Sequence, residues 1–470
     1  MNCNFVRIIL LILICFQSIS ASYAEENLTV TESEDGRMII AKTERQENVK
    51  ADGFTLDLNT QSHPLPLPLK DYLDYIEKTH HAITFLETRR DIAAENLDAA
   101  ALGRRPQIGI QGFMGRNRTE DKTISETFDG AARFHELTVS QPIYTGGRVD
   151  SEILNAKAGY DEADFRTKGD VNSFLFDAAE AYTEFHKNKN LVILYTDTVQ
   201  NAQKRVRSVE AENKAGERTI TDVAIAKSRL ASAEADLARA SADLKSSRVK
   251  FTYYTGQSNT PFQTVENSAR PLDVAQDFIP ADLGAFYFLN PSIREADAAT
   301  HAAEAGIERA KAEYAPSVTL DGRAAYNDRR DELARNIDSE DYSLFARYNI
   351  PIYSRGMEYS RLRTARLEAK RAKNRLIALS GEASTDYQSS ILRYNASTSI
   401  VRSYEIALET AQKAYDAAQK EYEYGFRTIT EVSDAEREVT RARAELISAK
   451  ADRLNNVLEI LRDLDRLRQG

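Results

Sequence analysis

Two hydrophobic periods alternate along this chain. A period of about 3.6 residues predicts helices, and a period of two predicts strands. Residues 69–102 and 281–315 read as short helical stretches. Each precedes a pair of alternating segments, 106–118 with 132–145 and 316–328 with 340–353. In the first, Ile108, Ile110 and Gly112 alternate with Gln107, Gly109 and Gln111. In the third, Val318 and Leu320 alternate with Ser317, Thr319 and Asp321. Phe134, Val139, Tyr342, Leu344 and Tyr348 supply further β-prone residues, and the polar stretches 119–130 and 329–341 read as loops. A long helical pattern then runs from about Arg148 to Ala215, and another from Met357 to Tyr424. At 1.5 Å per residue each spans on the order of 100 Å. Gly169 and Gly381 are weak points within them. Each long pattern stops at a glycine, Gly216 or Gly425, and a second helix returns.

The returning helices carry a heptad. Val223, Leu230, Leu237, Leu244 and Phe251 stand seven apart, with Ala226, Ala233, Ala240 and Ser247 three later. The second copy has Val432, Val439 and Leu446 with Ala435, Ala442 and Ala449, and departs from the pattern at Arg453. Alternating large and small residues let two helices approach closely, as in a coiled coil. A plain antiparallel coiled coil explains the helices but not the strands.

These elements form a duplication. Residues 214–223 read KAGERTITDV and 423–432 read EYGFRTITEV; QPIYTGG at 141–147 answers IPIYSRG at 350–356. Gly216 to Gly425 and Pro142 to Pro351 are both shifts of 209 residues. PQIGIQG from Pro106 and PSVTLDG from Pro316 give 210. Three blocks in one order at nearly one offset mark two copies of a structural unit. The expected organisation is a signal peptide at 1–24, an acidic flexible tail at 25–68, a first repeat at 69–255, a linker at 256–280 and a second repeat at 281–470.

Composition then narrows the class. Arg7, the apolar run Ile8–Phe16 and Ser22-Tyr23-Ala24 form an export signal. The whole chain carries 62 basic and 72 acidic residues, a net charge of −10. Removing the signal takes away one arginine and leaves −11, which speaks against nucleic acid as a partner. Both cysteines, Cys3 and Cys15, lie in the signal, so the mature chain has neither disulfides nor thiolate metal sites. Ile14 before Cys15 is unsuited to a lipoprotein signal. After Ala24 no apolar run approaches the roughly 18 residues of a membrane helix. An exported chain of this kind is periplasmic or a β-barrel in an outer membrane. Four strands close no useful pore, and open edges are not viable in lipid. Two chains would give eight strands, a barrel that side chains fill; three give twelve, with room for a pore. A soluble hairpin pair explains the same alternation.

No phosphate-cradling G-x-x-x-x-G-K-[ST] occurs, and none of the six histidines makes H-E-x-x-H. Adjacent His80 and His81 would not face one metal ion on a helix. No enzyme activity, cofactor or metal is therefore expected. The repeated G-x-R-T-I-T-[DE]-V reads first as capping chemistry. Gly216 and Gly425 end one helix in the left-handed region, Thr219 and Thr428 cap the next, and Asp222 and Glu431 complete capping boxes.

With these residues in place, the chain resembles the TolC-type outer-membrane efflux and secretion channels over about residues 69–468. The segment Gly425-Phe426-Arg427-Thr428-Ile429-Thr430-Glu431-Val432-Ser433-Asp434-Ala435 carries most of the resemblance, with Pro351-Ile352-Tyr353 and the duplication. The resemblance implies a mainly α fold with a β-barrel portion: a homotrimer with a twelve-stranded barrel in outer-membrane lipid on a long α-helical periplasmic tunnel. An equatorial zone would use the short helices and the 255–290 linker. One departure is the short C-terminus, which nearly lacks an equatorial tail. The implied function is the exit duct of a tripartite efflux pump or a type I secretion system. Its partners would be a periplasmic adaptor (membrane fusion protein) and an inner-membrane RND or ABC transporter. The implied gate links are Asp222, Tyr422 and Arg427, and the implied acidic constriction is Glu431 and Asp434, which would favour cations. Arg218 matches Arg427 by duplication but receives no gating role. Tyr144 and Tyr353, at the strand exits, fit an interfacial aromatic belt or packing against the neighbouring strand. Two rivals differ in what they require. A periplasmic adaptor needs one hairpin beside a lipoyl-like domain, and an envelope coiled coil needs no repeated strand exits.

Overall fold

The computed structural model describes residues 30–32, 38–40, 69–121, 126–255, 282–331, 336–353 and 355–467. The signal peptide and the linker at 256–280 lie outside these residues, as does most of the acidic tail. Within the tail, β1 (Val30–Glu32) pairs antiparallel with β2 (Met38–Ile40). The remaining elements are α1 (Leu69–Thr79), α2 (His81–Leu102), β3 (Gln107–Asp121), β4 (Glu126–Tyr144), α3 (Arg148–Lys214) and α4 (Ile220–Thr255). The second half contributes α5 (Leu283–Leu289), α6 (Pro291–Ala312), β5 (Ser317–Asp331), β6 (Asn336–Asn349), α7 (Met357–Glu423) and α8 (Ile429–Asp463). No described helix is long and apolar enough to cross a membrane.

The chain divides into two compact units. The strand unit holds segments 104–142 and 321–345, and four strands hydrogen-bond in the order β3-β4-β5-β6. Strands β3 and β4 are antiparallel from Gln107↔Ser140 to Asp121↔Glu126. This corrects the expected loop at 119–130, because residues 119–121 and 126–130 all lie in the ladder. Strand β5 likewise extends to Asp331 and β6 begins at Asn336, well inside the expected 329–341 loop. Polar sequence misleads here because a ladder is closed by backbone groups, whatever the side chains. Strand β4 runs through Pro142 to Tyr144, as the expected strand at 132–145 does. At the other end, β6 stops at Asn349 and residues 350–353 leave the ladder, where Pro351 has no N–H to donate.

Alternation gives the sheet two unlike faces. On one, the Gln111 amide donates to Glu136 at 3.2 Å, Arg323 pairs with Glu136 at 2.8 Å, and the Ser140 hydroxyl donates to Asp321 at 2.7 Å. The stacked rings of Phe113 and Phe134 interrupt that polar face. The other face carries Ile108, Ile110 and Met114 on β3, with Val139 and Leu137 opposite the two isoleucines. Leu344 of β6 lies over Gly322 on the same side. Ile110, Met114 and Leu344 are exposed in the single chain.

The helical unit is built on α3 and α7. Both run 67 residues, and both pass unbroken through the glycines that weaken their propensity. Gly169 faces the start of α6, where a Cβ would make an ordinary 3.4 Å contact with the ring of Pro291. Helix α4 returns along α3 by burying Ala226, Ala233, Ala240 and Ser247, the small positions of the heptad. Three clusters fill the interior. One joins Tyr72, Ile76, Val171, Leu175, Leu458 and Leu467. A second joins Phe286, Ile293, Tyr387, Ile460 and Leu464, with the Phe286 and Tyr387 rings stacked at 4.3 Å. Such a ring pair contributes about 0.5–1.5 kcal/mol beyond its buried area. The short turn after α8 thus anchors both clusters, through Leu464 and Leu467. The third, at the hairpin tips, joins Val206, Val209, Ala226 and Ile429.

Candidate functional site: the hairpin tips

Each long helix ends in the same backbone device. Gly216 has φ +84° and Gly425 φ +78°, a region that costs an L-residue about 1–2 kcal/mol. The N–H of Glu217 reaches the carbonyl of Glu212 at 2.9 Å, and that of Gly216 reaches Asn213 at 2.9 Å. Phe426 to Glu421 at 2.8 Å and Gly425 to Tyr422 at 2.9 Å repeat the arrangement. These are paired 6→1 and 5→2 bonds, which satisfy carbonyls that a helix end leaves free.

The following helices start alike as well. The Thr428 hydroxyl accepts from the N–H of Glu431 while the Glu431 carboxylate accepts from the Thr428 N–H at 2.8 Å. Thr219 and Asp222 make the same reciprocal pair at 3.2 and 3.1 Å. Hydrogen bonds from Thr219 hold the Asp222 carboxyl below its ordinary range, and those from Thr428 do the same for Glu431. Both are ionised at neutral pH.

The expected link residues are not brought to one another within the chain. Asp222 is engaged by Thr219. Arg427 donates to Glu421 of its own hairpin. Tyr422 accepts from Arg218, whose guanidinium also lies over the tyrosine ring, 5.0 Å from its centre. Arg218 in addition donates through Nε to Glu212 at 2.9 Å. Asp434 is gripped by two cations, Arg229 at 3.0 Å and its neighbour Arg437. Arg205 reaches Glu436 at 3.2 Å. Arg205, Arg218 and Arg229 were not among the expected tip residues. The sequence carries no signal for them, because each acceptor is more than 200 positions away. Burial raises the Tyr422 hydroxyl pKa, so it remains protonated and accepts through its oxygen. No group of three or more His, Cys, Asp or Glu side chains arranged for a metal occurs among the described residues.

The family model of the outer membrane efflux protein matches this chain twice, at residues 74–257 and 289–464, one match to each repeat. The chain belongs to the outer membrane efflux protein family. It is 23% identical over 376 residues to the outer membrane protein TolC of Vibrio cholerae, covering 79% of this chain and 84% of that protein. It is also 23% identical over 363 residues to the outer membrane efflux protein BepC of Brucella suis, with 77% of each covered. Its fold matches the crystal structure of the outer membrane protein VceC from Vibrio cholerae with a TM-score of 0.71 at 16% identity, covering 84% of this chain and 96% of that one. Membership makes the chain an outer-membrane exit duct for efflux, with a helical periplasmic portion, and a passive conduit instead of an enzyme.

Proposed function

We propose that three copies of this chain share one twelve-stranded barrel and that the hairpin tips form its periplasmic gate. The sheet carries this reading. Among the described residues β3 and β6 are the outer strands of a four-stranded order, and in lipid an unpaired edge has no water to satisfy it. The stretch of one face that bears Ile108, Ile110, Leu137 and Val139 suits acyl chains, and it ends at His135 and the Arg133–Asp328 pair on the same face; the face bearing Gln111, Glu136 and Arg323 suits a wet lumen. The duct serves a tripartite efflux pump or a type I secretion system, coupled through a periplasmic adaptor to an inner-membrane RND or ABC transporter. Ile220, Tyr424 and Phe426 stand exposed at the tips, where an adaptor would dock.

At the tip, Asp222, Tyr422 and Arg427 act as the gate links between helices, and Glu431 and Asp434 narrow the opening as an acidic ring. An exposed pair contributes about 0–1 kcal/mol, so a few such links hold the gate by only a few kcal/mol. A partner that prefers the open tip by a similar amount opens it.

Single-channel recording of the full mature chain in a planar bilayer tests the proposal. Small cation-preferring currents, blocked from the periplasmic side by a trivalent cation complex, are expected. Block that persists in Glu431→Gln/Asp434→Asn would remove the acidic ring. A chain extracted from outer membranes only as a monomer would remove the shared barrel.

A further inference from the structure

In the helical unit α2 packs on α3, α3 on α6 and α6 on α7, a row that begins with α2 and ends with α7. The two ends of the row carry opposite charge. Residues 361–375 of α7 hold seven lysines and arginines and one acid, Glu368. Arg361 pairs with Glu313, next to the end of α6, at 2.8 Å. Arg363, Arg366, Lys370, Arg371 and Lys373 are exposed and form no ion pair among the described residues. The same stretch of the first repeat, 152–166 in α3, holds four acids and two bases, so the cations are not a property of the repeat. On α2, Glu87, Asp91, Glu95 and Asp98 follow at steps of four, four and three, which lines them up on one face. The last three are exposed. Of the bases on this helix, Arg89 reaches back to Asp170 of α3 at 2.7 Å, and Arg90 lies against Asp91 at 2.9 Å.

The duplication supplies a register. Helices α3 and α6 meet inside the chain, where Gly169 faces Pro291 and the Arg294 guanidinium lies over the Phe165 ring, 4.6 Å from its centre. Helix α7 repeats α3 at an offset of 209 residues, and α6 repeats α2 at 210. Shifted by one repeat, the two contacts become Ala378 with His81 and Asn374 with Thr84 of the next copy. Continued along the antiparallel pair, that register sets Arg371 opposite Glu87 and Arg363 opposite Glu95, with Lys370 within one turn of Asp91. In sequence α2 leads into β3 and α7 follows β6, so each end helix adjoins an outer strand of the sheet order.

We infer that the acidic stripe of α2 and the basic stripe of α7 form a charge ladder between neighbouring copies, which selects the helices that meet and fixes their register. Two α2 helices or two α7 helices brought together would set like charges against each other, so the ladder admits head-to-tail contact alone. The inference rests on the reading of a shared barrel. It deepens that reading by naming the residues and the direction of the contact.

The test uses the full mature chain in intact outer membranes, with Glu95→Cys/Arg363→Cys as its only cysteines. A short bismaleimide should link copies into covalent dimers and trimers on a denaturing gel. Glu95→Cys/Ile377→Cys, displaced along α7 by about 21 Å, should not be linked. In a second arm, Arg363→Glu/Arg371→Glu should lower the trimer recovered in mild detergent severalfold, and Glu87→Arg/Glu95→Arg should do the same. Combining both sets restores pairs of reversed sign and should return the trimer to the parent level, which misfolded protomers would not do. Salt should weaken the parent trimer and strengthen that of either reversed variant, by screening attraction in one and repulsion in the other. If the parent is a monomer in the membrane, the shared barrel falls and the ladder with it. If the parent is a trimer, yet the first cysteine pair is not linked or charge reversal leaves the trimer unchanged, the barrel stands and the ladder is overturned.

Discussion

Helices α3 and α7 have the same length and lie 209 residues apart at both ends, yet they live in different surroundings. Nineteen side chains of α3 are buried in the single chain, against eight of α7. The contrast reaches individual equivalent positions. Thr183 of α3 is fully buried, its hydroxyl donating to the Ala179 carbonyl, whereas its counterpart Leu392 is 69% exposed. His186 is buried in α3, and its counterpart Asn395 is exposed. A polar residue inside and an apolar one outside show that neither helix is read correctly by hydropathy alone. Helix α3 is the internal strut, packed by α1, α2, α4, α6 and α8. Helix α7 presents Leu367, Ile377, Leu392, Ile400 and Ile406 to the outside of the chain, where neighbouring copies would cover them.

The largest test of this contrast is truncation in the core. Leu175→Ala, at a fully buried site on α3, should cost about 2–5 kcal/mol in thermal or denaturant unfolding of the helical signal. Leu392→Ala should leave the unfolding of a detergent-separated protomer within about 0.5 kcal/mol and weaken the oligomer instead. Equal losses in the protomer would erase the distinction between strut and outer wall.

His186 sharpens the contrast through pH. Burial, followed by the nearby Lys189 charge, lowers its pKa from 6.5 to about 4. The folded state therefore binds fewer protons than the unfolded state between those values. Its stabilisation is complete above pH 6.5 and is lost as pH falls toward 4, a span worth on the order of 3 kcal/mol. His186→Gln should flatten stability across that window. Asn395→His, at the exposed counterpart, should introduce no comparable slope.

The tips supply the matched control, because there the two repeats agree. Thr219→Ala and Thr428→Ala should each cost about 1 kcal/mol, and by similar amounts. A clear inequality would mean that one cap is held by something beyond its own box. The smallest effect is the titration of the caps. The depressed Asp222 and Glu431 carboxyls stabilise their helix starts above the ordinary values of 3.8 and 4.5, and that support is lost as pH falls through their lower folded values. Amide protection in the first turns of α4 and α8, taken relative to the intrinsic exchange rate at each pH, should therefore fall in acid at both tips, and lose that pH dependence in Asp222→Asn and Glu431→Gln.

These differences also explain what the sequence could disclose. Duplication, helix ends and caps were legible because glycine, threonine and the acid three residues later act within one turn. The strand ends were not. Residues 119–121 and 126–130 look like loop, but 119–121 pair with 126–128 and 129–130 pair with 117–118, and pairing leaves no mark on side-chain polarity. Arg218 was passed over for a related reason. Its match to Arg427 is visible, yet its partner is set by how two hairpins meet in space. Both arginines turn back to the equivalent acid of their own hairpin, Glu212 or Glu421, and Arg218 in addition reaches across to Tyr422.

The order of the sheet has one more consequence. Among the described residues its two outer strands are unlike, so in the proposed shared barrel a chain would offer β3 to one neighbour and β6 to another. In the language of polymerisation it is a bifunctional head-to-tail monomer, and only curvature decides whether growth ends in a ring or continues. A copy with proline set into β3 would act as a chain terminator, accepting one neighbour and refusing the next, and would remove sound copies from service along with itself.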